Sequence, residues 1–112
     1  LVLMVKVVNE FGDLVAVVKY NNDLDFWDGR NFSCGSTGRH LGITKLKDGR
    51  YVLIHGTDWQ GERDYAEVVT DEEALDAIVS TGHTELLKKK KFEPLKKLYE
   101  EKYLNQEVEE DD

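Results

Sequence analysis

The predicted fold is decided by residues 41–56, which read LGITKLKDGRYVLIHG. Two apolar runs flank an Asp-Gly pair, and this pair supplies the positive φ angles of a two-residue hairpin turn. A two-residue turn sets the register of the hairpin and places Gly42 opposite His55. Both faces of the hairpin are then largely apolar, so we predict that it lies in the middle of a sheet.

Strand signals continue on both sides of this hairpin. Residues 2–8 and 14–20 are rich in β-branched side chains and too short to be confident helices. The five residues between them, NEFGD, are typical of a turn, so a second hairpin is expected. Residues 63–69, RDYAEVV, predict the last strand.

The sequence NNDLDFWDGRN, which follows the first hairpin, contains another Asp-Gly pair. Hairpin pairing around it puts Asp25 opposite Phe32 and gives inconsistent faces, so both a hairpin and a loop remain open. Asp23, Asp25 and Asp28 also cluster as in a calcium loop. The third aspartate comes one residue late, however, and Cys34 stands where an EF-hand needs glutamate. A polar turn without a metal ion is the expectation.

After the last predicted strand, the sequence pattern changes from strand signals to helix signals. Thr70 and Glu73 form a capping box, which predicts the beginning of a helix. Gly82 is a natural stop, and Pro94 suits the first turn of a later helix. The three predicted helices span about residues 71–81, 85–91 and 94–104.

Strands first and helices last are typical of an α+β fold. We predict an antiparallel sheet of about five or six strands within residues 2–69, covered by two or three C-terminal helices. Residues 1–104 are expected to form one domain, because no repeat or Pro/Ser-rich linker divides them. Residues 105–112 are acidic, have little to bury, and are predicted to be disordered.

Composition excludes several classes of protein. The chain has 112 residues, a net charge of −8 and one cysteine, so an internal disulfide or a cysteine-rich zinc site is excluded. The single thiol favours a cytoplasmic setting. No apolar run reaches the length of a membrane span, and the apolar opening is interpreted as a strand because it lacks the features of a signal peptide. The acidic balance disfavours nucleic acid as a partner.

The glycine-rich sequence RNFSCGSTGRHLG, residues 30–42, invites comparison with phosphate-binding loops. A cysteine-phosphatase loop needs five residues between cysteine and arginine and a helix after them. Here four residues intervene, and a strand is predicted to follow. The P-loop and dinucleotide patterns also fail. Two interpretations remain, namely a glycine-rich connection between strands and an anion-binding nest. The candidate anion-binding residues are Ser36, Thr37, Gly38, Arg39 and His40.

Two further features are candidates for function. Cys34 and His55 are candidate pocket residues, because the predicted hairpin brings His55 near the glycine-rich stretch. A Cys-His pair supports nucleophilic catalysis if the two side chains meet. A structural histidine in the core or on the surface is the alternative. Trp59 lies in a polar loop and is a candidate interface residue or a side chain folded onto the sheet edge.

The sequence favours a small binding or interaction domain that acts through a protein partner or a homo-oligomer, with no cofactor. One alternative is a phosphate-directed or thiol enzyme that uses the glycine-rich stretch and His55. The other is nucleic-acid binding through a local basic face on the central strands. The candidate basic residues are Arg30, Arg39, Lys45, Lys47, Arg50 and Arg63.

Overall fold

The computed structural model describes residues 3–27, 32–33 and 38–104, so the predicted disorder of residues 105–112 lies outside the described residues. Its strands are β1 (Met4–Val8), β2 (Leu14–Lys19), β3 (Phe26–Trp27), β4 (Phe32–Ser33), β5 (Arg39–Lys45), β6 (Tyr51–Thr57) and β7 (Tyr65–Val69). Its helices are α1 (Asp71–Ser80) and α2 (Glu93–Tyr99). The predicted α+β class is confirmed.

Five strands form one sheet in the order β2-β1-β7-β6-β5. Most neighbours are antiparallel, but β1 and β7 run parallel, with Val7 opposite Ala66. The expectation of a wholly antiparallel sheet is therefore wrong. Local turn signals predict the hairpins β1–β2 and β5–β6 and the presence of a last strand, but they carry no information on how these pieces join. β7 runs in the same direction as β1, so the strand pair that joins the β1–β2 hairpin to the rest of the sheet is parallel.

The β5–β6 hairpin has a different register from the predicted one. Gly42 lies opposite Ile54, and His55 lies opposite Leu41, so the predicted pairing of Gly42 with His55 is wrong. The cause is the loop, which has three residues, 47–49, and ends in a glycine with a φ of 97°. A three-residue loop with one left-handed glycine shifts the pairing by one position relative to a two-residue turn.

The sheet has a separate core on each face. The helix-side core forms between the sheet and the C-terminal elements, and the inner core fills the opposite face. Val15–Val18 of β2 and the residues around the β5–β6 loop border one groove. The two outer parts of the sheet therefore curl towards each other. The buried residues of the helix-side core are Leu24, Ile43, Tyr51, Val69, Ala74, Leu75, Ile78, Leu86, Leu87, Phe92 and Leu95. Those of the inner core are Val5, Val7, Val52, Ile54 and Ala66.

The C-terminal elements differ partly from their prediction. The capping box is present, with the Thr70 hydroxyl accepting from the Glu73 amide and the Glu73 carboxylate accepting from the Thr70 amide. In place of the predicted helix at about 85–91 are two 3₁₀ turns, Thr84–Lys88 and Lys90–Phe92. The lysine run supplies no apolar stripe on which an α-helix can pack. The third helix begins one residue earlier than predicted, at Glu93, and α2 continues into the π-helical turn Glu100–Leu104.

Tyr51 fixes the position of the helices over one end of the sheet. Its hydroxyl donates to the carbonyl of Lys91 at 3.1 Å, and its ring stacks on Phe92 with centroids 6.1 Å apart. Burial raises the pKa of Tyr51. The helices thus cover the end of the β5-β6-β7 meander where Tyr51 lies and leave the other end open. None of the described helices is long and apolar enough to cross a membrane.

The outer edge of β5 is covered by residues 21–25, which we call the edge segment. The Asn21 side chain accepts from the amide of Ile43 at 3.1 Å and donates to its carbonyl at 3.0 Å. The Leu24 amide donates to the carbonyl of Leu41 at 3.0 Å. β6 is interior as predicted, whereas β5 is an edge strand whose polar backbone groups are satisfied by this segment.

The third hairpin is present as a two-stranded sheet of β3 and β4. Phe26 lies opposite Ser33 and Trp27 opposite Phe32, so the predicted pairing of Asp25 with Phe32 is wrong. Asp25 is instead part of the edge segment, where its carboxylate accepts from the amide of Leu41 at 2.8 Å. Short polar side chains can substitute for a neighbouring strand in this way, and alternation patterns do not reveal it.

Candidate functional site

An open depression of about 570 Å³ lies where β5 begins and β6 ends, at the end of the sheet away from Tyr51. Three of the candidate site residues, Arg39, His40 and His55, line it. Cys34, Ser36 and Thr37 lie outside the described residues, and Gly38 lies just beside the depression. The other polar lining residues are Thr57, Glu62, Arg63 and Tyr65.

One wall of the depression is the loop of residues 57–64, which we call the Thr57 loop. The Thr57 amide donates to the carboxylate of Asp64 at 3.0 Å. The Thr57 hydroxyl donates to Glu62 at 2.7 Å and accepts from the amide of Trp59 at 3.0 Å. A turn between Trp59 and Glu62 is closed by a 3.2 Å backbone hydrogen bond and contains Gly61 at a φ of 88°. These bonds fix the loop and the side chains that it presents.

Arg39 already has a carboxylate partner. Its Nη1 lies 2.6 Å from Oε1 of Glu62, and both side chains are partly exposed. The Thr57 hydroxyl, and then the Arg39 guanidinium, lower the pKa of Glu62. Exposed ion pairs contribute little to stability and are readily exchanged, so a ligand carboxylate or phosphate would compete with Glu62 for this guanidinium.

His40 lies between two carboxylates. Its Nδ1 is 2.5 Å from Oδ2 of Asp25, and its Nε2 is 2.9 Å from Oδ2 of Asp58. Hydrogen bonding to Asp25, and next to Asp58, raises the pKa of His40. The charged ring donates from both nitrogens, so His40 clamps the edge segment to the Thr57 loop.

His55 has a different environment. Its ring stacks on Tyr65 with centroids 4.7 Å apart and an interplanar angle of 17°. Its Nε2 lies 2.8 Å from Oε2 of Glu67, although the contact is not aligned as a hydrogen bond. The ring stack holds Tyr65 against the sheet while leaving 47% of it exposed.

Gly38 and Trp59 pack against each other at the rim. Gly38 is buried at a φ of 78°, and a Cβ there would lie 2.9 Å from Nε1 of the Trp59 indole. The Gly38 carbonyl also accepts from the amide of Asp58 at 2.8 Å. The end of the glycine-rich stretch is therefore a turn on which Trp59 rests. Trp59 nevertheless keeps 54% of its surface exposed.

The candidate basic residues are divided between the two ends of the β5–β6 hairpin. Arg39 and Arg63 lie at the depression, whereas Lys45 and Arg50 lie at the opposite end, beside the 47–49 loop. Arg50 is paired with Asp48 at 2.7 Å, and Lys45 lies 5.4 Å from the centre of the Tyr51 ring. Arg30 lies outside the described residues. Within the described chain these residues form two small groups, each neutralised in part by carboxylates.

Metal binding has no support in the described part of the chain. There, no group of three or more His, Cys, Asp or Glu side chains is arranged to hold a metal ion. Of the three aspartates considered as calcium ligands, Asp25 bonds to His40 and to the Leu41 amide, and Asp28 lies outside the described residues.

The carboxylates that organise the depression were not identified as site residues from the sequence. The sequence connects Asp25 with a hairpin and a calcium loop, and it assigns no role to Asp58 or Glu62. Asp25 meets His40 across 15 positions and Asp58 meets it across 18, so no local pattern links them. Comparison of the chain with known protein families, curated proteins and solved structures finds no match.

Proposed function

We propose that this domain is a protein-binding module and that its partner contacts the depression and its rim. The observation that carries the proposal is the exposure of two large aromatic side chains, Trp59 and Tyr65, beside Arg63. Trp, Tyr and Arg are the residue types that most often dominate the binding energy of protein interfaces.

The framework around these residues supports binding because it is already ordered. Trp59 rests on Gly38 in a loop held by Thr57, and Tyr65 is stacked on His55. Side chains held in one conformation lose little entropy when a partner binds, which leaves more of the contact energy as affinity.

Binding is favoured over chemistry because the ionisable groups of the depression are engaged with one another. Both ring nitrogens of His40 face carboxylates, and Arg39 is paired with Glu62. A general base needs a ring nitrogen that is accessible to the proton it removes. His40 would have to release Asp25 or Asp58 before it could act in this way.

The partner we infer presents an acidic side chain next to an apolar one. Arg63 has no carboxylate partner among the described residues and lies in the same lining as Tyr65. A carboxylate on the partner can bind the guanidinium in a bidentate arrangement, while an apolar group packs on the Tyr65 ring.

Site-specific photo-cross-linking tests the proposal. A photoreactive phenylalanine analogue replaces Tyr65 in the full chain, which is expressed in its source cells. Replacement of Tyr103 by the same analogue is the matched control, because Tyr103 is a 38% exposed tyrosine in the C-terminal turn. We expect one defined protein adduct from position 65 and none from position 103.

A second variant shows whether the adduct depends on the proposed surface. Trp59→Ala, combined with the analogue at position 65, should reduce the adduct at least about tenfold, because an interface tryptophan contributes roughly 2 kcal/mol or more. Circular dichroism verifies that the variant is folded. The proposal is overturned if no adduct forms, if both positions give the same adducts, or if Trp59→Ala leaves the yield unchanged.

A further inference from the structure

An open groove of about 550 Å³ lies between α2 and the 3₁₀ turns that precede it. Its lining contains five exposed lysines and two glutamates, Glu93 and Glu100, and so has an excess of three positive charges. We call this surface the lysine groove. Its lysines are Lys88, Lys89, Lys90, Lys96 and Lys97.

The lysines of the groove have no carboxylate partner in the described part of the chain. The ion pairs of lysine and arginine there are those of Arg39, Arg50 and Lys102. Lys91 belongs to the same run but does not line the groove, and its ammonium lies 5.1 Å from the centre of the Phe92 ring. Like charges held close together repel one another unless an opposite charge lies near them. The groove therefore favours an anion that carries several negative charges.

The residues that follow Leu104 supply such an anion. Residues 105–112, which we call the acidic segment, read NQEVEEDD and carry five carboxylates and no basic side chain. They begin where the turn that continues α2 ends, so they share one helical element with the lysine groove. Lys102, the basic residue nearest to the segment in the chain, is already paired with Asp76.

The acidic segment is long enough to reach the groove. From Leu104 back to Glu93, the helical element spans roughly 16 Å, at 1.5 Å per residue. Eight extended residues span up to about 26–29 Å. The segment can therefore turn back along α2 and reach the lysines before Glu93.

The acidic segment is favoured over a separate polyanion for two reasons. The whole chain has a net charge of −8, which repels an approaching nucleic acid or phosphate polymer. The segment is tethered to the groove, and a short flexible tether gives an effective concentration on the order of millimolar.

We propose that residues 105–112 bind in the lysine groove, where their carboxylates face its lysines. The contact is electrostatic, because Val108 is the only apolar residue of the segment. It lies apart from Trp59 and Tyr65 and does not depend on the proposed protein partner.

Paramagnetic relaxation enhancement in the full chain tests the proposal. A nitroxide is attached to Val108→Cys in a Cys34→Ser background, so that the probe replaces no charge. In the comparison chain, the five carboxylates of the acidic segment are also replaced by amides, which keeps the tether and removes its charge. At low salt we expect at least about fivefold more enhancement at the amides of residues 88–90 in the charged chain, since several weak ion pairs act together. The difference should vanish at 1 M salt, where the Debye length is about 3 Å. Equal enhancement in the two chains at low salt overturns the proposal.

Substitutions of lysine show whether the groove itself attracts the segment. Lys96→Gln combined with Lys97→Gln should remove most of the excess enhancement at residues 88–90. Lys6→Gln combined with Lys19→Gln is the matched control, because it changes the net charge equally at exposed positions of the β1–β2 hairpin. It should leave the excess in place. Dispersed amide signals verify that each variant is folded. Equal losses in the two double variants would mean that net charge, and not the groove, attracts the segment.

Mixing two forms of the chain distinguishes its own acidic segment from that of a second copy. Isotope-labelled chain without a nitroxide is mixed with unlabelled chain that carries the nitroxide at position 108. We expect no enhancement at residues 88–90 of the labelled chain at low protein concentration. Enhancement there as strong as within one chain would place the segment of one copy in the groove of another and contradict the proposal.

Discussion

The two edges of the sheet differ in how the backbone groups of their outer strands are bonded. At the β5 edge, Asn21 pairs with both backbone groups of Ile43, and Asp25 and Leu24 pair with those of Leu41. At the β2 edge, no described strand pairs with the outward backbone groups, and Val15–Val18 only border a groove with the β5–β6 loop. A side-chain amide, a carboxylate and one backbone amide are thus enough to close an edge without a further strand. The edge without them has no such side-chain bonds among the described residues.

The closed edge also organises the candidate site. Asp25 bonds to the Leu41 amide and to His40, and His40 reaches Asp58 in the Thr57 loop. The edge segment therefore supports one wall of the depression. No residue of β2 lines the depression.

The largest expected effect is a difference in unfolding free energy between a substitution at the β5 edge and one at the β2 edge. Leu24 in the edge segment is completely buried in the helix-side core. Leu24→Ala should lower the free energy of unfolding by about 2–5 kcal/mol, through lost apolar burial and the cavity left behind. Leu14→Ala on β2 is the matched control, because Leu14 is 59% exposed. It should change the monomer stability by about 0.5 kcal/mol or less, as measured by urea denaturation at low protein concentration. Equal losses in the two variants contradict the comparison.

A smaller effect is expected from the glycine that lets the edge segment approach β5. A Cβ at Gly42 would overlap the backbone carbonyl oxygen of Asn21. Gly42→Ala should therefore cost about 1–3 kcal/mol and increase hydrogen exchange at the Ile43 amide, because the segment is pushed away from the strand. Gly56→Ala is the matched control. Its Cβ would meet the ring end of the Tyr20 side chain rather than backbone atoms, so a smaller loss is expected. Unchanged stability and unchanged exchange at the Ile43 amide in Gly42→Ala would show that the closure of β5 tolerates the methyl group.

The smallest expected effect is the pH dependence of the clamp at His40. Its pKa in the folded protein is raised above 6.5, chiefly by Asp25. The stabilisation by His40 is therefore complete below the unfolded pKa of about 6.5 and is lost as the pH rises through the folded pKa. Urea denaturation from pH 6 to 9 should show the wild type losing more stability than His40→Gln. Parallel pH profiles for the two proteins would exclude the clamp.

Local signals in the sequence predicted the elements well. The capping box at Thr70, the β1–β2 hairpin and the last strand each depend on residues close in the chain, and all three are present. The register predicted for the β5–β6 hairpin was wrong, because one Asp-Gly pair is compatible with loops of two and three residues. The parallel β1–β7 pair was also missed, because it joins strands that are far apart in sequence.

The candidate site also has residues that the sequence predicted and residues that only the structure reveals. Arg39, His40 and His55 were singled out because their residue types carry chemistry, and they line one depression. Their carboxylate partners Asp25 and Asp58 come from other parts of the chain, so only the folded structure reveals that the imidazole of His40 is engaged. The predicted roles of Cys34, Ser36 and Thr37 stay predictions.

The parallel pairing of β1 with β7 has a consequence for the order of folding. Val7 meets Ala66, so this contact closes a loop of about 60 residues, with an entropic cost that local hairpins do not have. The β1–β2 hairpin is synthesised before β7 and cannot join the rest of the sheet until β7 has been made. During that interval the outer sides of both strands of the hairpin lack a neighbouring strand. Late closure of this contact would then prolong the exposure of the hairpin during folding.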